Sequence, residues 1–308
     1  MNRLNVALLC GGISSEREIS LKSGQQVKNA LDPKKYNVKV YDPASDLARL
    51  VNDAKEIDVA LVILHGRFGE DGTIQGLLDL LGIPYQCSGV LASALAMDKL
   101  MSKHIFSSAG LLVPRYVMLT KNASFDSVVE RLGLPLVIKP ADSGSSIGTS
   151  IIKDKTQFKQ ALDEAFKHSE RVFAEEYIAG KEVTGAVIGN KSPYALPLVE
   201  IIPNKGYDFF DYKAKYKPGA TEEICPARLS EALTKEVQRC ALIAHKALGC
   251  KGYSRTDMIL KDKKVYALET NTIPGMTENS LFPKAAKAAG LSFKDLIEEL
   301  IRLALEDF

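Results

Sequence analysis

The sequence predicts a mixed α/β protein that opens with a parallel sheet and continues into antiparallel hairpins, spread over two or three domains. Three observations carry this reading. In the opening third, short runs rich in β-branched residues alternate with segments of helical apolar spacing, the pattern of a parallel sheet covered by helices. Further on, strand-like runs come in pairs around turn residues. The chain has 308 residues, more than one hydrophobic core usually serves.

Taken in order, residues 6–10, 38–41 and 59–64 read as strands, with residues 20–31 and 47–54 as helices between them. The first strand runs into Gly11-Gly12-Ile13, a turn that brings backbone N–H groups towards a ligand but departs from the G-x-G-x-x-G of a dinucleotide site. One long helical segment, residues 91–108, leads into the second stretch. There residues 134–139 and 171–178 read as strands and 156–167 as an amphipathic helix. Pro140-Ala141-Asp142-Ser143-Gly144-Ser145-Ser146-Ile147-Gly148, flanked by strands, reads as a hairpin with a glycine-rich tip. The third stretch opens with strands at 182–188 and 195–202. The polar segment 203–221 follows, and its aromatic and lysine content favours a folding lid. A helix carries Leu233, Val237, Cys240, Ala241, Ala244 and Leu248 on one face. A hairpin, 253–260 with 265–271, precedes a C-terminal helix that Ser292 is placed to cap.

Composition excludes several classes. With 46% hydrophobic residues the chain is not intrinsically disordered, and no run approaches the ~18 apolar residues of a membrane span. Forty Lys and Arg against 38 Asp and Glu, a net charge of +2, give no broad nucleic-acid footprint. The five cysteines are scattered without CxxC spacing, which argues against a disulfide framework or zinc site and for a reducing, cytoplasmic setting.

Chemistry concentrates in the C-terminal hairpin. Arg255 and Asp257 share one strand face, as do Glu269 and Asn271 on the next. If residues 261–263 form the turn, Arg255 lies opposite Glu269 and all four point the same way. A surface ion-pair ladder is the competing reading. Against it, the strand continues into Thr272-Ile273-Pro274-Gly275, a turn suited to close backbone approach. Two carboxylates and an amide oxygen suit Mg²⁺ bridged to phosphates. Lys139 before the glycine-rich tip and Ser145-Ser146 within it would supply donors for phosphate oxygens, with a solvated flexible turn as the competing reading. Beside the Mg²⁺ face, a nucleotide triphosphate is the economical ligand for both features.

A series of motifs then carries a resemblance. Gly11-Gly12-Ile13-Ser14-Ser15-Glu16-Arg17-Glu18-Ile19-Ser20, His65-Gly66-Arg67-Phe68-Gly69-Glu70-Asp71-Gly72 and Met97-Asp98-Lys99 come first. Gly144-Ser145-Ser146-Ile147-Gly148, Ala214-Lys215-Tyr216, Arg255-Thr256-Asp257 and Glu269-Thr270-Asn271-Thr272-Ile273-Pro274-Gly275-Met276-Thr277 follow in order. From end to end the chain resembles the D-alanine–D-alanine ligases of the ATP-grasp superfamily.

That resemblance implies three domains: an N-terminal Rossmann-like substrate domain (1–97) and two α+β domains (98–180 and 181–308) that clasp ATP. It implies that Lys99, Lys139, Ser146 and Lys215 meet phosphates, Glu175 and Ile178 the adenine, and Glu182 the ribose. Asp257, Glu269 and Asn271 would hold two Mg²⁺, with Mn²⁺ as a substitute. Glu16 and His65 would meet the first D-alanine, and Ser280 with the Leu281 N–H the carboxylate of the second. Arg255 and the Gly275 N–H would stabilise an oxyanion, and Glu16, Ser145 and Tyr216 would draw the domains together. The implied reaction makes D-alanyl-D-alanine for peptidoglycan precursors through a D-alanyl phosphate. D-Lactate or D-serine as second substrate is the alternative within enzymes, a non-catalytic ATP-grasp nucleotide-binding protein is the alternative from another class, and a homodimer is expected by analogy. Blander readings stand beside these: turn chemistry for Glu70 and Asp71, helix charges for Arg17 and Glu18, a structural role for His65. Gln86 and Cys87 within Tyr85-Gln86-Cys87-Ser88-Gly89, Phe210 and Met258 depart from the family pattern.

Overall fold

The computed structural model describes residues 3–142, 144, 147–204 and 221–306. Its first sheet is parallel, as the alternation predicts. Strand β1 (Leu4–Leu9) lies between β2 (Tyr36–Tyr41) and β3 (Val59–Val62), in registers Leu4↔Tyr36 and Val6↔Val59. All of β3 is buried, which is why it reads as an unbroken apolar run. Helices α1 (Arg17–Ala30) and α2 (Leu47–Asp53) form the crossovers. Gln86 extends this sheet: its side-chain amide accepts from the Val62 N–H at 2.9 Å and donates to the Val62 carbonyl at 2.8 Å, as a further strand would.

Helix α3 (Thr73–Leu81) leads towards the connection to the second sheet. The helical segment expected over 91–108 is two helices, α4 (Val90–Met97) and α5 (Lys99–Ser108). Asp98 between them is extended, with φ −84° and ψ 102°, and its carboxylate accepts from the N–H groups of Leu100 and Met101. Aspartate offers the backbone this capping alternative to a continuing helix, so the chain turns there.

The second sheet is antiparallel, in the order β4 (Tyr116–Leu119), β7 (Val172–Glu176), β5 (Leu136–Pro140), β6 (Ser150–Ile152). The expected hairpin pairs Leu136 with Ile152 and Ile138 with Ser150. Leu136, Ile138, Val172 and Ala174 form a core with residues of α6 (Phe125–Leu132) and α7 (Lys155–His168). By alternation, Val137, Lys139, Phe173 and Glu175 face the other way.

The third sheet has the order β11 (Thr221–Ile224), β10 (Val199–Pro203), β8 (Lys181–Ile188), β12 (Tyr253–Lys261), β13 (Lys264–Asn271). The short β9 (Tyr194–Ala195) also pairs with β8, so the strand expected over 195–202 is broken around Pro197. Helix α8 (Glu231–Ala247) covers one face so closely that a Cβ on Gly185 would lie 2.6 Å from that of Ala241. Met258, the departure next to Asp257, is fully buried in this layer. Helices α9 (Leu281–Ala288) and α10 (Phe293–Glu306) return to share the core of the parallel sheet through Phe282, Leu296 and Leu300. Ser292 caps α10 as expected, its Oγ accepting from the Asp295 N–H at 3.2 Å.

The register of the C-terminal hairpin corrects the expected pairing. Arg255 lies opposite Asn271, and Asp257 opposite Glu269. Only Asp262 and Lys263 form the turn, both at positive φ, as a two-residue hairpin connection requires. That tight turn alone would pair Asp257 with Leu268 and send Glu269 to the far side of the sheet. A bulge restores the face: Met258 pairs with Ala267, Asp257 with Glu269, and Leu268 is the extra residue. All four polar residues therefore do share one face.

Candidate active site

The free face of the second sheet and the polar face of the third look at each other across a cleft. A cavity of about 90 Å³ lies there, lined by Val137, Lys139, Ile151 and Glu175 from one sheet and by Glu182, Asp257, Ile259 and Glu269 from the other. Ile178, in the connection between the sheets, closes one end. A second cavity of about 300 Å³ adjoins it, lined by Glu16, His65, Gly144, Arg255, Asn271, Gly275, Ser280 and Leu281. Lys99 and Glu269 line both cavities and form their common wall.

On the third sheet, the Arg255 guanidinium donates to both oxygens of Asp257 at 2.8 Å, and Asn271 Nδ2 donates to Asp257 Oδ2 at 3.3 Å. Lys99 Nζ lies 3.4 Å from Glu269 Oε2. Protein cations thus stand against each of the carboxylates expected to hold metal. The donor set fits Mg²⁺: hard oxygens converge on one face, already arranged around positive charge. Among the described residues no three His, Cys, Asp or Glu side chains form a cage. A cation here would therefore also draw on the Asn271 amide oxygen and on oxygens of a bound phosphate.

On the second sheet the arrangement is deeper. Glu175 is buried and paired through one oxygen with Lys139 Nζ at 2.5 Å and through the other with Lys103 Nζ at 2.7 Å. Burial alone would push its carboxyl up, but the two ammonium groups hold it down at about 2. Sequence reasoning missed Lys103. The signal was present: Lys99 and Lys103 stand four apart on α5, a like-charge pair that is unfavourable unless carboxylates meet it.

The larger cavity gathers Glu16, His65, Arg255, Gly275, Ser280 and Leu281. Glu16 is buried, and a Cβ on Gly144 would lie 3.4 Å from its Oε2, so the hairpin tip reaches the first sheet's loops. His65 is buried and kept neutral by desolvation, despite the nearby Glu16 carboxylate. It hydrogen-bonds the Ile273 backbone, while its Nε2 has no partner among the described residues. The blander reading, a satisfied structural histidine, leaves that nitrogen unexplained. Ser280 Oγ serves Thr277, accepting from its N–H at 3.2 Å, so it does not cap α9 and leaves that helix N-terminus open to an anion. Gly275 sits close beneath, where a Cβ would approach Ser280 Oγ to 3.1 Å.

Ser145, Ser146, Lys215 and Tyr216, and the lid expected over 203–221 except for its ends, lie outside the described residues. Other readings resolve plainly. Asp71 is turn chemistry, accepting from the N–H groups of Phe68 and Thr73, and Glu70 accepts from Gly66 N. Arg17 ties the glycine turn together through Asp42 and the Gly12 carbonyl. All five cysteines are free; burial raises the Cys87 thiol to about 12 and those of Cys10, Cys240 and Cys250 to about 11, far from nucleophilic.

Comparison with known proteins adds an independent line. The family models described as "D-ala D-ala ligase C-terminus" and "D-ala D-ala ligase N-terminus" match residues 105–302 and 43–88. A D-alanine–D-alanine ligase of Syntrophobacter fumaroxidans is 58% identical over 307 residues, covering 99% of each chain. The crystal structure of a Bacillus anthracis D-alanine–D-alanine ligase complexed with ATP is similar at TM-score 0.85 and 36% identity, over 98% of this chain and 97% of that one. The VanG D-Ala:D-Ser ligase of Enterococcus faecalis is similar at TM-score 0.84 and 32% identity, over 98% and 100%.

Proposed function

The chain belongs to the D-alanine–D-alanine ligase family, and from that premise we propose that it joins two D-alanine molecules at the expense of ATP, making D-alanyl-D-alanine for peptidoglycan precursors. The observation that carries this is the pair of adjoining cavities divided by Lys99 and Glu269, one lined for a nucleotide and the other for small polar substrates.

A carboxylate is a poor acyl donor because its leaving group would be oxide. In our reading the γ-phosphoryl of ATP passes to the carboxylate of the first D-alanine. The amine of the second attacks this acyl phosphate, and the tetrahedral intermediate expels phosphate. Glu175 and Ile178 would receive the adenine, Glu182 the ribose, and Lys99, Lys139, Ser146 and Lys215 the phosphates. Two Mg²⁺ held by Asp257, Glu269 and Asn271 would neutralise phosphoryl charge. Glu16 and His65 would hold the first D-alanine. The open N-terminus of α9, with Ser280 and the Leu281 N–H, would take the carboxylate of the second. Arg255 and the Gly275 N–H would stabilise the oxyanion, a contribution of roughly 3 kcal/mol per donor. Ser145 and Tyr216 would join Glu16 in drawing together three domains, taken as 1–97, 98–180 and 181–308. We further propose a homodimer in the cytoplasm, consistent with its free cysteines. Among the described residues no helix is long and apolar enough to cross a membrane.

The test is phosphate release by purified protein with ATP and Mg²⁺. Release should depend on D-alanine and match dipeptide formed; D-alanine-independent hydrolysis, or none, would refute the reading. The likeness to a D-Ala:D-Ser ligase favours one second reading, D-serine as the second substrate. Competition between D-alanine, D-serine and D-lactate separates them. Tyr216→Phe should shift products towards the depsipeptide if that hydroxyl seals a site arranged for the amine, and an unchanged product ratio would remove it from the specificity argument.

A further inference from the structure

We infer that Lys103 is a positioning residue for the nucleotide, the fixed counter-ion of Glu175 that releases Lys139 to an incoming phosphate or base. This rests on the reading of the cleft between the sheets as an ATP site.

The three groups differ in what they can reach. Lys139 lines the nucleotide cavity, and its side chain is 18% exposed. Lys103 is 1% exposed and lines neither cavity. Its ammonium sits 5.8 and 5.9 Å from the ring centres of Tyr116 and Phe173, beside a small apolar cluster of Leu100, Ala141 and Phe173. Of the two lysines, only Lys139 is placed to turn towards a ligand.

Glu175 forms an ion pair with each lysine, one through each oxygen. With Lys139 as its sole partner the pair would be neutral, and any ligand that drew Lys139 away would leave a buried carboxylate unpaired, a state that proteins strongly resist. Lys103 removes that obstacle. It keeps Glu175 paired when Lys139 swings away, and it leaves the three groups with one net positive charge facing a cavity that also holds Glu182, Asp257 and Glu269. A lysine that merely ties α5 to the sheet would do neither.

The experiment measures ATP affinity without D-alanine, and separately kcat and KM. Lys103→Met should weaken ATP binding by about tenfold or more while kcat at saturating ATP falls less than about threefold, since the group acts on binding through Glu175. Lys103→Gln, which keeps a donor for Glu175 but no charge, should weaken binding equally and is the variant to use if the methionine protein does not fold. Adding Glu175→Gln to Lys103→Met should recover at least about threefold of the lost affinity, because Lys139 is no longer held by an anion. Wild-type affinity in Lys103→Gln, or a double variant that binds ATP more weakly than Lys103→Met, would overturn the role. A wild-type protein that binds ATP but forms no dipeptide would sink the ligase reading alone, and one that binds no ATP would overturn both.

Discussion

The two walls of the nucleotide cleft carry the same chemistry at different depths. On the second sheet Glu175, 2% exposed, is held between Lys103 and Lys139. On the third, Asp257 and Glu269 are held by Arg255 and Lys99; Asp257 is itself buried at 5% exposure, whereas the Glu269 side chain is 22% exposed at the junction of two cavities. Burial separates their roles. A carboxylate sealed between ammonium groups holds its partners in place, because breaking either pair strands a charge. A carboxylate more open to the cavities, as Glu269 is, can exchange a protein cation for a metal ion, because solvent and ligand compensate the change. In the proposed reaction the first wall positions and the second reacts.

The sharpest way to break this comparison is to neutralise the open wall. Asp257→Asn or Glu269→Gln should lower turnover by at least about a hundredfold, given the several kcal/mol that metal-ion charge stabilisation contributes. The melting temperature should move little for Glu269→Gln, which keeps a hydrogen-bonding amide beside Lys99, and should fall for Asp257→Asn, which removes the counter-charge that Asp257 gives the buried Arg255 guanidinium. Near wild-type turnover at saturating Mg²⁺ would assign the metal elsewhere.

The buried wall should answer to acid instead. Glu175 is held at about 2, below its ordinary 4.5. A depressed carboxyl stabilises the fold above its unfolded value and loses that contribution as pH falls towards the folded value. Wild-type stability should therefore decline between pH 4.5 and 2 by a component of the order of 3 kcal/mol from this group. Denaturation curves of wild type and of Lys103→Met/Glu175→Gln across that window would reveal it: the double variant should show a flatter decline. Parallel acid profiles would mean that Glu175 gains nothing from its lysines.

How much of this was legible beforehand differs between the two walls. The reactive wall was readable because alternation within a strand is local: Arg255 and Asp257 must share a face, and so must Glu269 and Asn271. Their registration was not, because it depends on the two-residue turn at Asp262-Lys263 and on the bulge at Leu268, each of which flips the face and which together restore it. The positioning wall was half readable. Lys139 stood beside a glycine-rich tip, whereas the only local sign of Lys103 is its spacing of four from Lys99, a like-charge pair that calls for carboxylates without naming them. Its partner is Glu175, 72 residues later in the chain, and pairing over such separation leaves no local pattern. The same limit hid the break at Asp98, since helical periodicity persists on both sides of it.

That break offers the smallest and finest test, because α5 serves both walls. Lys99, in its first turn, pairs with Glu269, and Lys103, one turn deeper, pairs with Glu175. Asp98 caps this helix through Leu100 N at 3.0 Å and Met101 N at 3.1 Å, and also meets Arg171 at 2.8 Å. Asp98→Ala removes the cap and should cost about 1 kcal/mol of stability. Fraying is confined to the first turn, so Lys99 should lose its placement while Lys103, held by burial, keeps its own. ATP affinity should then fall a few-fold without the acid response of Glu175 changing. Asp98→Asn keeps the capping oxygen and loses only the half-exposed ion pair with Arg171, worth at most about 1 kcal/mol, so it should sit close to wild type in affinity. If Asp98→Ala instead altered the acid profile, the first turn and the buried lysine would be one unit, and depth would not be what divides the walls.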